Sequence, residues 1–146
     1  MAATLILSHG GLASELLAAA RTIVGELPGF AALSLDWEDS FEAARAKTAA
    51  ALAALDSSRG VLILTDIYGG TPFNVAASLR DAGRVEVLAG VNLPMVVRLA
   101  CGGLATASVA ELAEWIVEKS RGGICRAQAE AGEATPPGGE PERGRA

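Results

Sequence analysis

Two short segments constrain this chain more than anything else in it. Thr4–Leu7 (TLIL) and Val61–Thr65 (VLILT) are almost uniformly apolar, with no polar–apolar alternation. A strand wetted on one side alternates with period two, whereas a strand apolar throughout is covered on both faces. Helical spacing lies between the two. Leu12, Leu16, Ala19, Ala20, Ile23 and Val24 recur on one face after Gly10-Gly11, until Pro28-Gly29 stops the pattern. Ala31–Leu35 reads as a second strand. Ser40 reads as the cap of a helix to about Leu55, with Phe41, Ala44, Thr48, Leu52 and Leu55 on its inner face. After Gly69-Gly70, Thr71-Pro72 reads as an N-cap and a proline-started helix to about Arg80. Val85–Leu88 is a fourth strand, and Pro94–Ala100 and Val109–Ser120 are helices. The expected fold class is α/β, an open doubly wound sheet with four parallel strands.

The 146 residues suit one domain. From about Ala131 the chain is mostly Gly, Pro, Glu and Arg, so the folded domain is expected over 1–130 and a disordered tail over 131–146. A net charge of −5 with 4% aromatic residues lacks the basic, aromatic-lined surface that nucleic-acid binding needs. The apolar runs fall far short of the ~18–20 residues of a membrane span. No basic segment precedes Ser8 and His9, so a cytoplasmic protein without membrane insertion is expected. Cys101 and Cys125 form no C-x-x-C pair and read as free, partly buried thiols. With one histidine and no close ligand cluster, neither a metal site nor a cofactor is expected.

That single histidine, His9, stands where the first strand gives way to Gly10-Gly11. TLILSHGG and VLILTDIYGG share an order: buried strand, hydroxyl residue, ionisable residue, glycine pair, helix. Strands of a parallel sheet end at one edge, so His9 and Asp66 are both expected at carboxyl tips. If strands one and three are neighbours, those tips flank the switch-point crevice where such sheets bind ligands. A carboxylate beside a histidine holds the proton on one ring nitrogen and leaves a lone pair on the other. Gly10 and Gly11 lead into one helix N-terminus, and Gly69, Gly70 and Thr71 into another. Backbone amides there, with the Thr71 hydroxyl, suit a phosphate group. This inventory fits an imidazole that takes up a phosphoryl group. It lacks the arginine and the Mg²⁺-binding acidic cluster of a nucleotide-cleaving site. Ser8 also stands where a histidine phosphatase would carry arginine. Blander readings stand beside these. Asp66 also suits the cap of its own turn, Tyr68 and Phe73 suit packing, and Asn74 suits a local hydrogen bond. Asn92-Leu93-Pro94 suits a plain strand-to-helix loop at the same edge. Trp37 and Trp115 suit core or interface, with Trp37 alone within reach of the site.

ILSHGGLASELL, GVLILTDIYGGTPFN and VLAGVNLPMVV, in that order, resemble the IIA domain of the mannose (mannose–fructose–sorbose) family of the bacterial sugar phosphotransferase system. The resemblance runs from about Thr4 to Ala127. It implies that His9 is the phosphorylated histidine, loaded from the phosphohistidine of HPr and emptied onto a IIB component. It implies that Asp66 binds the other ring nitrogen, and that Thr71 replaces the serine of the GGSPFN motif found in many members. It further implies a homodimer in which a C-terminal antiparallel strand, here Gly123–Ala127, is exchanged between subunits. Several members continue through an Ala/Pro-rich linker into a IIB domain, whereas here the IIB partner is expected on a separate chain. Incomplete systems of this kind act in regulation, which gives a second reading: a phospho-switch controlling partner proteins.

Overall fold

A computed structural model describes residues 1–102 and 104–127. In chain order the elements are β1 (Ala3–His9), α1 (Leu12–Val24), β2 (Phe30–Leu35), α2 (Phe41–Ala53), β3 (Val61–Thr65), α3 (Thr71–Ser78), β4 (Val85–Ala89), α4 (Leu93–Cys101) and α5 (Val109–Arg121). The strands form one parallel sheet in the order β2-β1-β3-β4. Ile6 of β1 lies between Ala32 of β2 and Leu64 of β3. From β1 the chain winds outward to β2, and from β3 outward to β4. The switch point therefore lies between the tips of β1 and β3.

Helices cover both faces, which explains the missing alternation. Ile6, Leu62 and Leu64 point to the side where α1, α4 and α5 supply Ala13, Leu17, Val96, Leu99, Leu112 and Ile116. Leu5, Leu7, Val61 and Ile63 point to the other side, against Ala44 of α2 and Val75 and Ala76 of α3. Leu5, Ile6, Leu7, Leu62, Ile63 and Leu64 are fully buried, each contributing about 1.5–3 kcal/mol relative to an exposed side chain. Side chains start several helices. Ser40 accepts from the Ala43 amide, Asn92 from the Met95 amide, and Ser108 and Glu111 form a reciprocal capping box.

Three expectations need correction. The inner stripe of α1 is Ala13, Leu17 and Ala20, while Leu12 and Ile23 are 45% and 60% exposed. In an alanine-rich helix several faces are nearly equally apolar, and the small side chains allow close approach to the sheet. Phe41 likewise lies outside, 47% exposed, on a helix whose buried residues are Ala44 and Thr48. Cys101 and Cys125 are both exposed, not partly buried. In this single chain Gly123–Ala127, expected as a strand exchanged with a second copy, turns and runs on irregularly after α5, with Ile124 90% exposed. A strand needs a neighbour for its N–H and C=O groups, and this segment has no strand partner among the described residues. The tail expected over 131–146 lies outside the described residues.

Candidate functional site

β1 ends at His9 and β3 at Thr65. Leu7 is the register partner of Thr65, so Asp66 leaves β3 beside Ser8, one step from His9. The tip of β3 is also tied to β4: the Thr65 hydroxyl donates to the Leu88 carbonyl at 3.0 Å, and the Gly90 amide donates to the Asp66 carbonyl at 3.0 Å. The backbone thus fixes where the Asp66 carboxyl can lie. Its Oδ2 accepts from the His9 backbone N–H at 2.9 Å and meets His9 Nδ1 at 2.8 Å, while Oδ1 accepts from the Ile67 N–H at 2.8 Å. Asp66 therefore closes its own turn and holds the histidine at once.

Burial raises the Asp66 carboxyl pKa, but the amide bonds from His9 and Ile67 and the contact with the His9 ring outweigh it. The net effect holds the group below its ordinary value. An ionised carboxylate only accepts, so Nδ1 is the donor and carries the proton. In the neutral ring the lone pair is then on Nε2. Among the described residues Ser120 Oγ is the one buried side-chain polar atom without a partner. Nε2 makes no hydrogen bond to a described residue and is not among the buried atoms, so it meets solvent, as the 21% side-chain exposure of His9 allows.

The rest of the ring is also defined. Trp37, in the connection after β2, stacks on the imidazole with centroids 4.5 Å apart and planes 13° from parallel. Gly70 packs at the Cε1 edge so closely that a Cβ there would lie 3.2 Å from Cε1. Next door, buried Ser8 accepts from the Ala13 amide at 2.8 Å and so starts α1. Gly10 turns the chain out of β1 with φ +54, a conformation that L side chains rarely adopt.

The glycine-rich turns differ from expectation in detail. The cap of α3 is Gly70, with Thr71 as the first helical residue. The Gly70 amide donates to the Ile67 carbonyl at 3.2 Å, so it is already engaged. Among the described residues the amides of Gly10, Gly11, Gly69 and Thr71 make no such bond. Asn74 donates to the Gly69 carbonyl at 3.0 Å, and Asn92 caps α4, both local roles. Tyr68 is 79% exposed and leans on Phe73, while Trp115 packs against the core. The described residues contain no group of three His, Cys, Asp or Glu side chains placed to hold a metal. None of their helices is long and apolar enough to cross a membrane. The Ile67 amide on Asp66, the Gly70 contact and the Trp37 stack were not readable from residue spacing. The only hint was that Trp37 follows the second strand, on a connection at this edge of the sheet.

Comparison with known proteins gives a consistent result. The family model described as "PTS system fructose IIA component", EIIA-man, matches residues 3–117. The chain is 37% identical over 123 residues to the mannose-specific EIIAB component of Escherichia coli (strain K12), covering 84% of this chain and 38% of that protein. It thus spans well under half the length of those relatives. It is 32% identical over 100 residues to the fructose-specific EIIA component of Bacillus subtilis (strain 168), covering 68% of each. A mannose/sorbose-specific IIA subunit from Enterococcus faecalis superposes with a TM-score of 0.77 at 32% identity, over 92% of this chain and 98% of that one. Phosphotransferase component EIIA from Streptococcus agalactiae gives 0.76 at 25% identity, over 86% and 97%. Sequence and fold agree over nearly all the described residues, and the chain belongs to the mannose family of phosphotransferase-system IIA components.

Proposed function

We propose that this IIA component is a phosphocarrier, taking a phosphoryl group onto Nε2 of His9 from the phosphohistidine of HPr and passing it to a IIB component. The observation that carries this reading is the 2.8 Å contact between His9 Nδ1 and Asp66 Oδ2, which leaves Nε2 facing solvent. The Nε2 lone pair attacks phosphorus as the donor's N–P bond breaks, and that electron pair returns to the donor imidazole. The Nδ1 proton stays in place. His9 becomes a phosphorylated imidazolium against the Asp66 carboxylate, a charge-assisted hydrogen bond of about 1.5–3 kcal/mol. Transfer onward runs the same steps in reverse. The amides of Gly10, Gly11, Gly69 and Thr71, with the Thr71 hydroxyl, are the donors for the phosphate oxygens. Gly70 instead fixes the ring.

The test is a transfer assay. Given phosphorylated HPr, the purified protein should gain one acid-labile, alkali-stable phosphate and lose it to a cognate IIB. The His9→Gln variant should take none, and labelling of that variant rejects the reading. A label that no IIB removes, but that alters capture of another protein, moves the reading to a regulatory phospho-switch.

The same reading includes a homodimer formed by Gly123–Ala127 pairing with β4 of a second copy. Supporting it, β4 ends the sheet and is only half-buried where β3 is wholly buried. A groove of about 520 Å³ beside it is lined by Leu88, Ala113 and Val117 among others. A monomer mass by light scattering contradicts the dimer.

A further inference from the structure

Trp37 is 78% exposed, yet its indole lies flat on the one histidine of the chain. It is neither a core residue nor part of the Asp66 contact. Backbone geometry puts it there. Leu35 is the register partner of His9, so Trp37 stands just beyond it on the same sheet edge. The connection that carries it is tied down. The Asp36 amide donates to Asp39 Oδ2 and the Asp39 amide to the Asp36 carbonyl, both at 3.1 Å. Lys47 of α2 donates to both Asp39 carboxylate oxygens at 2.8 Å and to Asp36 Oδ2 at 3.4 Å.

An indole in this position acts on the imidazole in two ways. It covers a face, whereas the Nε2 lone pair lies in the ring plane, so stacking sets the ring's orientation and leaves the nucleophilic edge open. Its electron-rich face also attracts a cation more than a neutral ring. Loading converts neutral His9 into a phosphorylated imidazolium, so the attraction is greater in the loaded state.

We propose that Trp37 is a positioning residue for phosphoryl transfer, holding the His9 ring edge-out and stabilising its phosphorylated, cationic form. This rests on the phosphocarrier reading of His9. The chemistry is unchanged: an N–P bond forms at Nε2 as the donor's N–P bond breaks, and Trp37 exchanges no atom or electron.

The experiment compares Trp37→Phe, Trp37→Leu and Trp37→Ala in the full chain. Phosphoramidate, a small phosphoryl donor without a protein surface, loads His9 independently of any partner that touches the exposed indole. The Ala and Leu variants should lose the phosphoryl group roughly two- to fivefold faster than wild type, and Phe should stay close to it. Leucine keeps bulk without a π face, so a Leu variant with the wild-type half-life overturns the proposal. The ring protons of His9 supply a second readout in the unloaded protein. They should lie upfield in wild type and Trp37→Phe, and move downfield in Trp37→Leu. Unmoved protons in a chain that does load reject the stack alone. A wild-type chain that takes no phosphoryl group from phosphoramidate or phosphorylated HPr rejects the carrier reading, and this proposal with it.

Discussion

One carboxylate oxygen of Asp66 receives both the backbone N–H and the ring Nδ1 of His9, at 2.9 and 2.8 Å. The two residues are 57 positions apart, and they meet because β1 and β3 are adjacent strands. The backbone contact fixes the oxygen, and the ring then binds an acceptor already in place. This is positioning of the kind that lowers the cost of reaching a reactive geometry.

Asp66→Asn keeps the size and an acceptor oxygen but removes the charge facing the loaded imidazolium. Loading of His9 should slow about 10- to 100-fold, the loss of one charge-assisted hydrogen bond. Rapid-quench measurement with phosphorylated HPr reads this directly. A variant as fast as wild type takes Asp66 out of the mechanism.

The same carboxyl links stability to pH. Its folded pKa lies below its ordinary value, because hydrogen bonds from His9 and Ile67 outweigh the opposing effect of burial. The folded chain therefore binds this proton less readily than the unfolded chain. The stabilisation is complete above the ordinary carboxylate pKa and is lost as pH falls, from about pH 5 downward. In urea titrations the stability gap between wild type and Asp66→Asn should narrow on acidification. A gap that stays constant contradicts the shift.

Two glycines at the site should respond oppositely to alanine. Gly10 has φ +54 and nothing within 4 Å of an added Cβ, so Gly10→Ala should cost about 1–2 kcal/mol from backbone strain alone. Gly70 has φ −71 and ψ 170, which alanine adopts freely, but its Cβ would sit 3.2 Å from His9 Cε1. Gly70→Ala should leave stability nearly unchanged and slow loading of His9. Chemical denaturation and loading rates on both variants check this, and the reverse pattern would count against the packing described.

The sheet was legible because β1 and β3 are buried on both faces, and a parallel sheet covered by helices on each side keeps TLIL and VLILT dry. Shared strand direction then brought His9 and Asp66 to one edge. The inner face of α1 was only partly legible: Leu16, Ala20 and Val24 do face the core, but Leu12 and Ile23 do not. Leu12 and Ile23 are more apolar than Ala13 and Ala20, but small side chains let that helix approach the sheet on the alanine face. Thr71 had the usual chemistry of a cap, yet Gly70 takes that position and touches the histidine. The stack of Trp37 on His9 depends on how the β2–α2 connection folds over the edge, which no spacing rule encodes. Segment Gly123–Ala127 read as a strand but has no strand partner among the described residues.

The central claim is that Nδ1 keeps its proton against Asp66 while Nε2 takes the phosphoryl group. With one histidine in the chain, ¹⁵N and ³¹P NMR of the phosphorylated protein reads a single imidazole. Coupling of phosphorus to Nε2, with a proton retained on Nδ1, is the expected result. Phosphorus on Nδ1, or a phosphorylated protein whose imidazole carries none, would contradict the account.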